Sequence, residues 1–237
     1  MELKVNLHFH SKEDASDKVI EYTAREGIDR AAFLGFGALA ITHHRKFFKL
    51  GDLKEYAASK GILLISGAEI EIRNQHVVVL NCDEGVEKIK TFEELENYKK
   101  NNPNIFILAA HPYFHGHCLY RDGLNGNTHI FDAIEFSWFY TKLINLNKKA
   151  ERFAQKNNMP FVATSDTHFI DILDKSYIVL EAEEKTEAGV FKAIRQKKFI
   201  NVTSPRSFWK DMVWKLMSFK TRSLIFTIRC KLNLKKI

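Results

Sequence analysis

Glu2-Leu-Lys-Val-Asn-Leu-His-Phe-His10 opens the chain as a short apolar run that ends in two histidines two residues apart. Runs of four to eight residues rich in Val, Ile, Leu and Phe read as buried strands. Side chains two apart on a strand point the same way, so His8 and His10 can close on one ion. The arrangement returns along the chain. His44 follows Leu39–Thr42, Glu69 follows Ile62–Ala68, and His76 stands ahead of Val77–Leu80. His111 follows Ile105–Ala110, and Asp166 and His168 follow Phe161–Thr164. An acid near the N-terminus, Asp14 or Asp17, completes the set. Ligand-type residues at the ends of many strands converge on one face of a barrel.

Helical spacing fills the intervals. Asp17–Ile28, Leu53–Lys60, Phe92–Lys100, Lys142–Asn157 and Thr186–Lys197 read as helices, and Ala133–Phe136 and Tyr177–Leu180 as further strands. Strands alternating with helices imply a mainly parallel sheet closed by crossovers. His115–Asn127, with three glycines, reads as a long loop on the ligand face.

Five segments then stand out in order: Asn6-Leu-His-Phe-His-Ser11, Ile41-Thr-His-His44, Gly67-Ala-Glu69, Ala110-His-Pro112 and Thr164-Ser-Asp-Thr-His168. Together they resemble the motifs of the PHP (polymerase and histidinol phosphatase) superfamily of metal-dependent phosphoesterases, over Met1 to Ser207. The resemblance implies an α/β fold, a distorted (β/α)7 TIM-like barrel. It also implies two or three divalent ions, Zn, Mn or Fe, which suit histidine and carboxylate donors. On that pattern His8, His10, Glu69 and Asp166 hold one ion. Glu69 bridges to a second, held with His76 and His111. His44, His168 and the N-terminal acid hold a third. Asp17 has the spacing of the polymerase-type members and Asp14 is nearer that of the small phosphoesterases. Two positions depart from the family, Asn6 and His43, each where an Asp is usual.

The expected activity is hydrolysis of a small phosphate monoester or nucleotide by a metal-bound hydroxide. Asp166, His168 and His43 are the residues assigned to catalysis, with His43 as a nearby base or acid. Arg45, Arg73, His115, His117 and Arg121 lie beside the motifs and suit a phosphate, Arg45, His115 and Arg121 above all. Glu71 rivals Glu69 but lacks the Gly-x-Glu context, and reads as a surface or barrel-lining acid. Glu135 reads as a supporting group and His129 as a loop residue. A 3′-5′ nuclease on the same centre, or a metal-binding regulatory module without turnover, are the other readings.

Charge divides the chain at 207. The 237 residues carry a formal net charge of +7, and all of it lies in 208–237, where eight Lys or Arg face Asp211 alone. That tail interleaves Phe208, Trp209, Met212, Trp214 and Phe219 with lysines. It reads as a helix packed on the barrel, as a basic amphipathic helix on an anionic membrane, or as a nucleic-acid contact. Cys82, Cys118 and Cys230 have no CxxC spacing and suggest reduced thiols. Met1-Glu-Leu-Lys leads straight into the first strand, and no apolar stretch approaches the ~20 residues of a spanning helix. The expectation is a cytoplasmic protein, peripheral to the inner face of the membrane on the second of these readings of the tail.

Overall fold

The computed structural model describes residues 1–113 and 122–206. The tail, His115, His117 and Arg121 lie outside the described residues. Nine strands and six helices alternate among those described: β1 (Glu2–Phe9), α1 (Ala24–Phe33), β2 (Ala38–His44), α2 (Leu53–Ser59), β3 (Leu63–Ile72), β4 (Gln75–Leu80), α3 (Phe92–Asn101) and β5 (Phe106–Ala109). Then come α4 (Asp122–Gly126), β6 (Ala133–Ser137), α5 (Asn147–Lys156), β7 (Phe161–Thr164), β8 (Ser176–Glu181), α6 (Glu187–Arg195) and β9 (Phe199–Thr203).

One sheet carries all nine strands in the order β7-β6-β5-β4-β3-β2-β1-β8-β9. It curls nearly into the expected barrel, but it is mixed rather than mainly parallel. β1–β2, β2–β3, β5–β6 and β6–β7 pair parallel, whereas β3–β4, β4–β5, β1–β8 and β8–β9 pair antiparallel. The reason for the first reversal is local. Arg73 and Asn74 both take positive φ, 51° and 62°, and join β3 to β4 by a two-residue hairpin. Two residues of this conformation match the strand twist and leave no room for a helical crossover.

The seam lies between β7 and β9, and a side chain spans it. Asn201 accepts from the Ala163 N–H at 2.7 Å and donates to the Phe161 carbonyl at 2.8 Å. Its amide thus stands in for the peptide group a neighbouring strand would offer. Asn201→Ala should lower unfolding free energy by about 1–2 kcal/mol, with two hydrogen bonds lost at a partly exposed site. Urea unfolding checks this, and an unchanged midpoint would remove Asn201 from the closure.

Inside the barrel Leu3, Val5, Leu7, Ala38, Ala40, Ile65, Val78, Leu80, Phe106 and Leu108 form the central core, closed by Val190, Phe191 and Ile194 of α6. Phe9, Leu39 and Ile41 pack outward against α1. The first helix starts later than its spacing suggests. Asp14 and Asp17 accept from the Ser16 and Val19 N–H groups, each at 3.0 Å, which holds this stretch in turns. Thr23 and Glu26 then form a reciprocal cap that fixes the start of α1. The helix expected over Lys142–Asn157 likewise begins only at Asn147.

The chain divides into two compact units. Met1–Trp138 with Leu146–Ser204 holds every named element. Phe139–Asn145 with Pro205 and Arg206 belong to the other, where Thr141 bridges Arg206 in parallel and the Arg206 N–H donates to the Tyr140 carbonyl at 2.7 Å.

Candidate metal centre

A two-residue period puts His44 of β2, Glu69 of β3 and His76 of β4 on the same side of the sheet as Ala40, Ile65 and Val78. Gly67 lets β2 and β3 close beneath Glu69. A Cβ there would stand 2.9 Å from Leu80 Cδ2, 3.0 Å from Thr42 Cγ2 and 3.1 Å from the Ile41 carbonyl. β1 needs a further device, because Leu3, Val5 and Leu7 already occupy its inner side. The β1–β2 register shifts between Asn6 and Phe9, and beyond this irregularity Phe9 packs outward while His8 and His10 meet Glu69 and Asp166. Such a shift re-aims the side chains that follow it. His111 and Asp166 are turned by positive φ, 28° and 44°.

Four buried atoms converge without hydrogen-bond partners: His8 Nε2, His10 Nε2, Glu69 Oε2 and Asp166 Oδ1. His8 Nε2 lies 3.4 Å from both Glu69 Oε1 and Asp166 Oδ1. His10 Nε2 lies 3.5 Å from Glu69 Oε2 and 3.3 Å from Asp166 Oδ1. Donors arranged about a zinc-sized ion at roughly 2.1 Å stand about 3.0–3.4 Å apart, so the spacing fits a divalent cation. Glu69 Oε1 also receives His76 Nδ1 at 2.9 Å and His111 Nε2 at 3.1 Å, and its Oε2 faces His44 Nε2 at 3.1 Å. Three overlapping donor groups result: His8, His10 and Asp166; His44, Glu69 and His76; His10, His44 and His168. Glu69 therefore occupies the middle of the cluster.

Outer carboxylates set the imidazoles. Asp14 Oδ2 takes Nδ1 of His44 at 2.7 Å and Nδ1 of His10 at 3.1 Å, turning both Nε2 atoms inward. Glu135 does the same for His8 through Nδ1 at 2.7 Å, and it also accepts from the His111 N–H and the Thr164 hydroxyl. Such partners fix a histidine's tautomer and orientation toward a metal. Asp17 faces the open nitrogen of His168, Oδ2 to Nε2 at 3.2 Å, while His168 Nδ1 contacts the Asp166 carbonyl oxygen at 3.0 Å. Both N-terminal acids are thus in the cluster, with Asp17 directed at a ring nitrogen that Asp14 leaves alone.

The electrostatics follow from burial opposed by charge. Burial alone would drive His8, His44 and His111 toward neutrality. For His8 the carboxylates of Asp166, Glu69 and Glu135 outweigh it and hold its pKa well above the ordinary value. His44, bonded to Asp14, and His111, bonded to Glu69, are also raised. For Glu69, burial is outweighed by His8, His76 and His111, and its carboxyl lies well below the ordinary range. Asp166 and Asp14 are depressed against burial too, the first by the charges of His8 and His168, the second by hydrogen bonds from His10 and His44.

Two further polar residues, Asn6 and Tyr22, hold the frame. Asn6 accepts from the N–H groups of His8 at 3.2 Å and Ser165 at 3.4 Å. Its amide donates to Ser165 Oγ at 2.6 Å, the Ser176 carbonyl at 3.2 Å and the Leu173 carbonyl at 3.3 Å. An ionised Asp could not donate to those carbonyls, so Asn suits this setting. Tyr22 Oη reaches the carbonyls of His10 and Thr167, each at 2.8 Å, and so ties the two ligand-bearing segments together.

Other sequence candidates stand elsewhere. His43 turns outward from β2, 1% exposed, with Nε2 on Ser11 Oγ at 2.8 Å and its ring against Phe48. Burial lowers its pKa to about 4, keeping it neutral. Adjacent strand residues alternate faces, so His43 lies on the outer side of β2 while His44 takes the inner one. Arg45 follows His44 at the surface, its side chain 59% exposed and its Nε donating to Glu71 at 2.6 Å. Arg73 lies in the exposed hairpin turn, and His129 stands 3.6 Å from Glu96 at the surface.

Comparison with known proteins follows the same lines. A family model described as PHP-associated matches residues 145–199. No curated protein sequence matches this one. Among solved structures, a two-domain protein of Bacteroides vulgatus containing a predicted PHP-like metal-dependent phosphoesterase superposes with a TM-score of 0.67 at 19% identity, over 86% of this chain and 65% of its own. The chain shares the fold of this PHP-like protein. PsfC of Pseudomonas syringae shares it at TM-score 0.64 and 16% identity, over 94% of this chain and 99% of PsfC. The lesion-specific endonuclease EndoQ of Pyrococcus furiosus shares it at 0.62 and 17%, over 87% of this chain and 60% of the endonuclease. The chain therefore spans under two thirds of the first and third of these proteins, and nearly all of the second. No helix among the described residues is long and apolar enough to cross a membrane.

Proposed function

We propose that this chain hydrolyses a phosphate ester with two or three divalent cations at the cluster. The convergence of His8 Nε2, His10 Nε2, Glu69 Oε2 and Asp166 Oδ1, buried and unpartnered, carries the proposal. Buried polar atoms without partners are costly, and a cation supplies what all four lack. Charge supports more than one ion. Asp14, Asp17, Glu69, Glu135 and Asp166 bring five carboxylates to the six histidines, and among the described residues none of the five pairs with a Lys or Arg.

Such cations would activate a water and neutralise phosphate charge. His8, His10, Glu69 and Asp166 would hold the first; Glu69 would share a second with His76 and His111; His44, His168 and Asp17 would hold a third. Asp14 and Glu135 keep the ring nitrogens facing inward. Asp166 and His168 would face the reacting phosphate, and Arg45, once released from Glu71, would receive it; His115 and Arg121, outside the described residues, are the further phosphate contacts this reading expects. The proposed substrate is a small phosphate monoester or nucleotide. A nuclease is the second reading, favoured by the shared fold of the endonuclease. Segment 208–237 would add a grip on an anionic membrane or nucleic acid.

Phosphate release from sugar phosphates, nucleotides and short oligonucleotides with added Mn²⁺ tests the reading. Turnover should fall at least ~10³-fold in Asp166→Ala, a loss of roughly 4 kcal/mol of transition-state stabilisation. Silence across the panel from metal-loaded protein would favour a binding module instead.

A further inference from the structure

α5 turns Ala150 and Ala154 into the core and leaves Lys148, Lys149, Arg152 and Lys156 exposed. Lys148, Arg152 and Lys156 recur every fourth residue, so they form one stripe about 12 Å long, with Lys149 beside it. Among the described residues none of these four forms an ion pair, and Glu151 is the one acid in the helix. Lys148 and Lys149 lie in the first turn, which contains no acid. Cations there oppose the helix dipole, so this face is basic against the helix's own preference.

The stripe is fixed at both ends. Asn147 clamps the start of α5 to β6, donating to the Ser137 carbonyl at 2.7 Å and accepting from its N–H at 2.9 Å. That places Lys148 at the end of the barrel where Glu135, two residues before Ser137, holds His8. Beyond the far end, Lys197 Nζ donates to Asn158 at 2.7 Å, and Lys198 lies exposed beside it. Six cations thus run along the barrel wall from the metal-centre end to the opposite end.

We infer that this wall docks the phosphate backbone of duplex nucleic acid. A membrane-lying helix needs an exposed apolar face, and the apolar face of α5 is buried in the core. Single-strand binders stack bases on aromatic rings, and the exposed face of α5 offers none. What remains is a row of point charges, which recognises phosphates irrespective of sequence. The inference does not rest on the proposed hydrolysis.

Full-length protein and two variants, Lys148→Glu/Arg152→Glu/Lys156→Glu and the corresponding triple Gln protein, should be titrated onto a labelled 20-base-pair duplex across salt. Cations elsewhere, the tail included, are common to all three, so the difference reads the wall. Each lost phosphate contact lowers the salt slope by about 0.9, so the triple Glu protein should lose roughly 2–3 in slope and at least ~10-fold in affinity near 0.1 M salt. Lys148→Glu puts an acid in the first turn but Lys156→Glu puts one in the last, so the two dipole effects oppose each other; the triple Gln protein, which adds no acid, should melt near wild type, and the metal content of both should be unchanged. Equal duplex affinity and slope in all three proteins would overturn the assignment. So would an equal loss of binding to phosphatidylserine vesicles, which would mark the wall as a general anionic surface.

Discussion

Stripping bound metal from the protein is expected to lower its melting temperature by about 8–16 °C, and Mn²⁺ or Zn²⁺ in excess to restore it. Ligand at 1,000 times its dissociation constant stabilises by about 4 kcal/mol, and a chain of this size shifts by about 2–4 °C per kcal/mol. The effect should vanish in Glu69→Gln, because Glu69 alone touches His76, His111, His44 and His8. Proton release adds a sign. His8, His44 and His111 hold their protons above the ordinary imidazole range in the metal-free state, and a protonated imidazole cannot ligate. Metal affinity should therefore fall as pH drops from about 8 to 6, with protons released on binding. Calorimetry in two buffers of different ionisation enthalpy measures that release. A melting temperature indifferent to metal in the wild type, or a full response in Glu69→Gln, would defeat the reading of the centre.

Legibility of the site follows strand geometry residue by residue. His44, Glu69 and His76 lie on strands with an undisturbed two-residue period, so their shared face can be read from spacing. His8 and His10 were legible as a pair, but their inward aim depends on the register shift in β1, which no spacing announces. His111 and Asp166 owe their direction to positive φ, a backbone state that His and Asp adopt only where surrounding structure imposes it. Tyr22 acts through two carbonyl contacts and leaves no pattern, whereas Asn6 stood out in the first motif but its hydrogen bonds to Ser165, Leu173 and Ser176 did not. The fold class was legible from the alternation of strands and helices, while the direction of β4 was hidden in the two residues Arg73 and Asn74. β9 escaped because Phe199–Thr203 is short and follows α6 directly, and its closing contact is made by one side chain, Asn201. The region from Asp17 to Thr23 carried helical spacing, but the Asp17 carboxylate accepts from the Val19 N–H instead and holds it in a turn.

Glu135 should prove as consequential as any residue of the inner cluster. It is fully buried, and its two oxygens serve three donors: His8 Nδ1, the His111 N–H and the Thr164 hydroxyl. Glu135→Ala strands all three, and removing one partner of a buried charged pair costs about 3–5 kcal/mol. That is a large share of the roughly 5–15 kcal/mol that holds a domain folded, so low yield of this variant is itself expected. Glu135→Gln keeps the shape but replaces one acceptor oxygen by an NH₂ that must face a donor. Unfolding free energy should fall by about 1–3 kcal/mol, the cost of a buried group left unsatisfied. Metal affinity should weaken by about 10–100-fold, because His8 loses the partner that sets its tautomer. Urea unfolding of the metal-free protein and competition with a chromophoric chelator separate the two effects. A purely structural role would move the first and leave the second, whereas orientation of His8 requires both to move. Glu135→Gln protein that binds metal as tightly as wild type would show that His8 is held in place by packing rather than by this carboxylate.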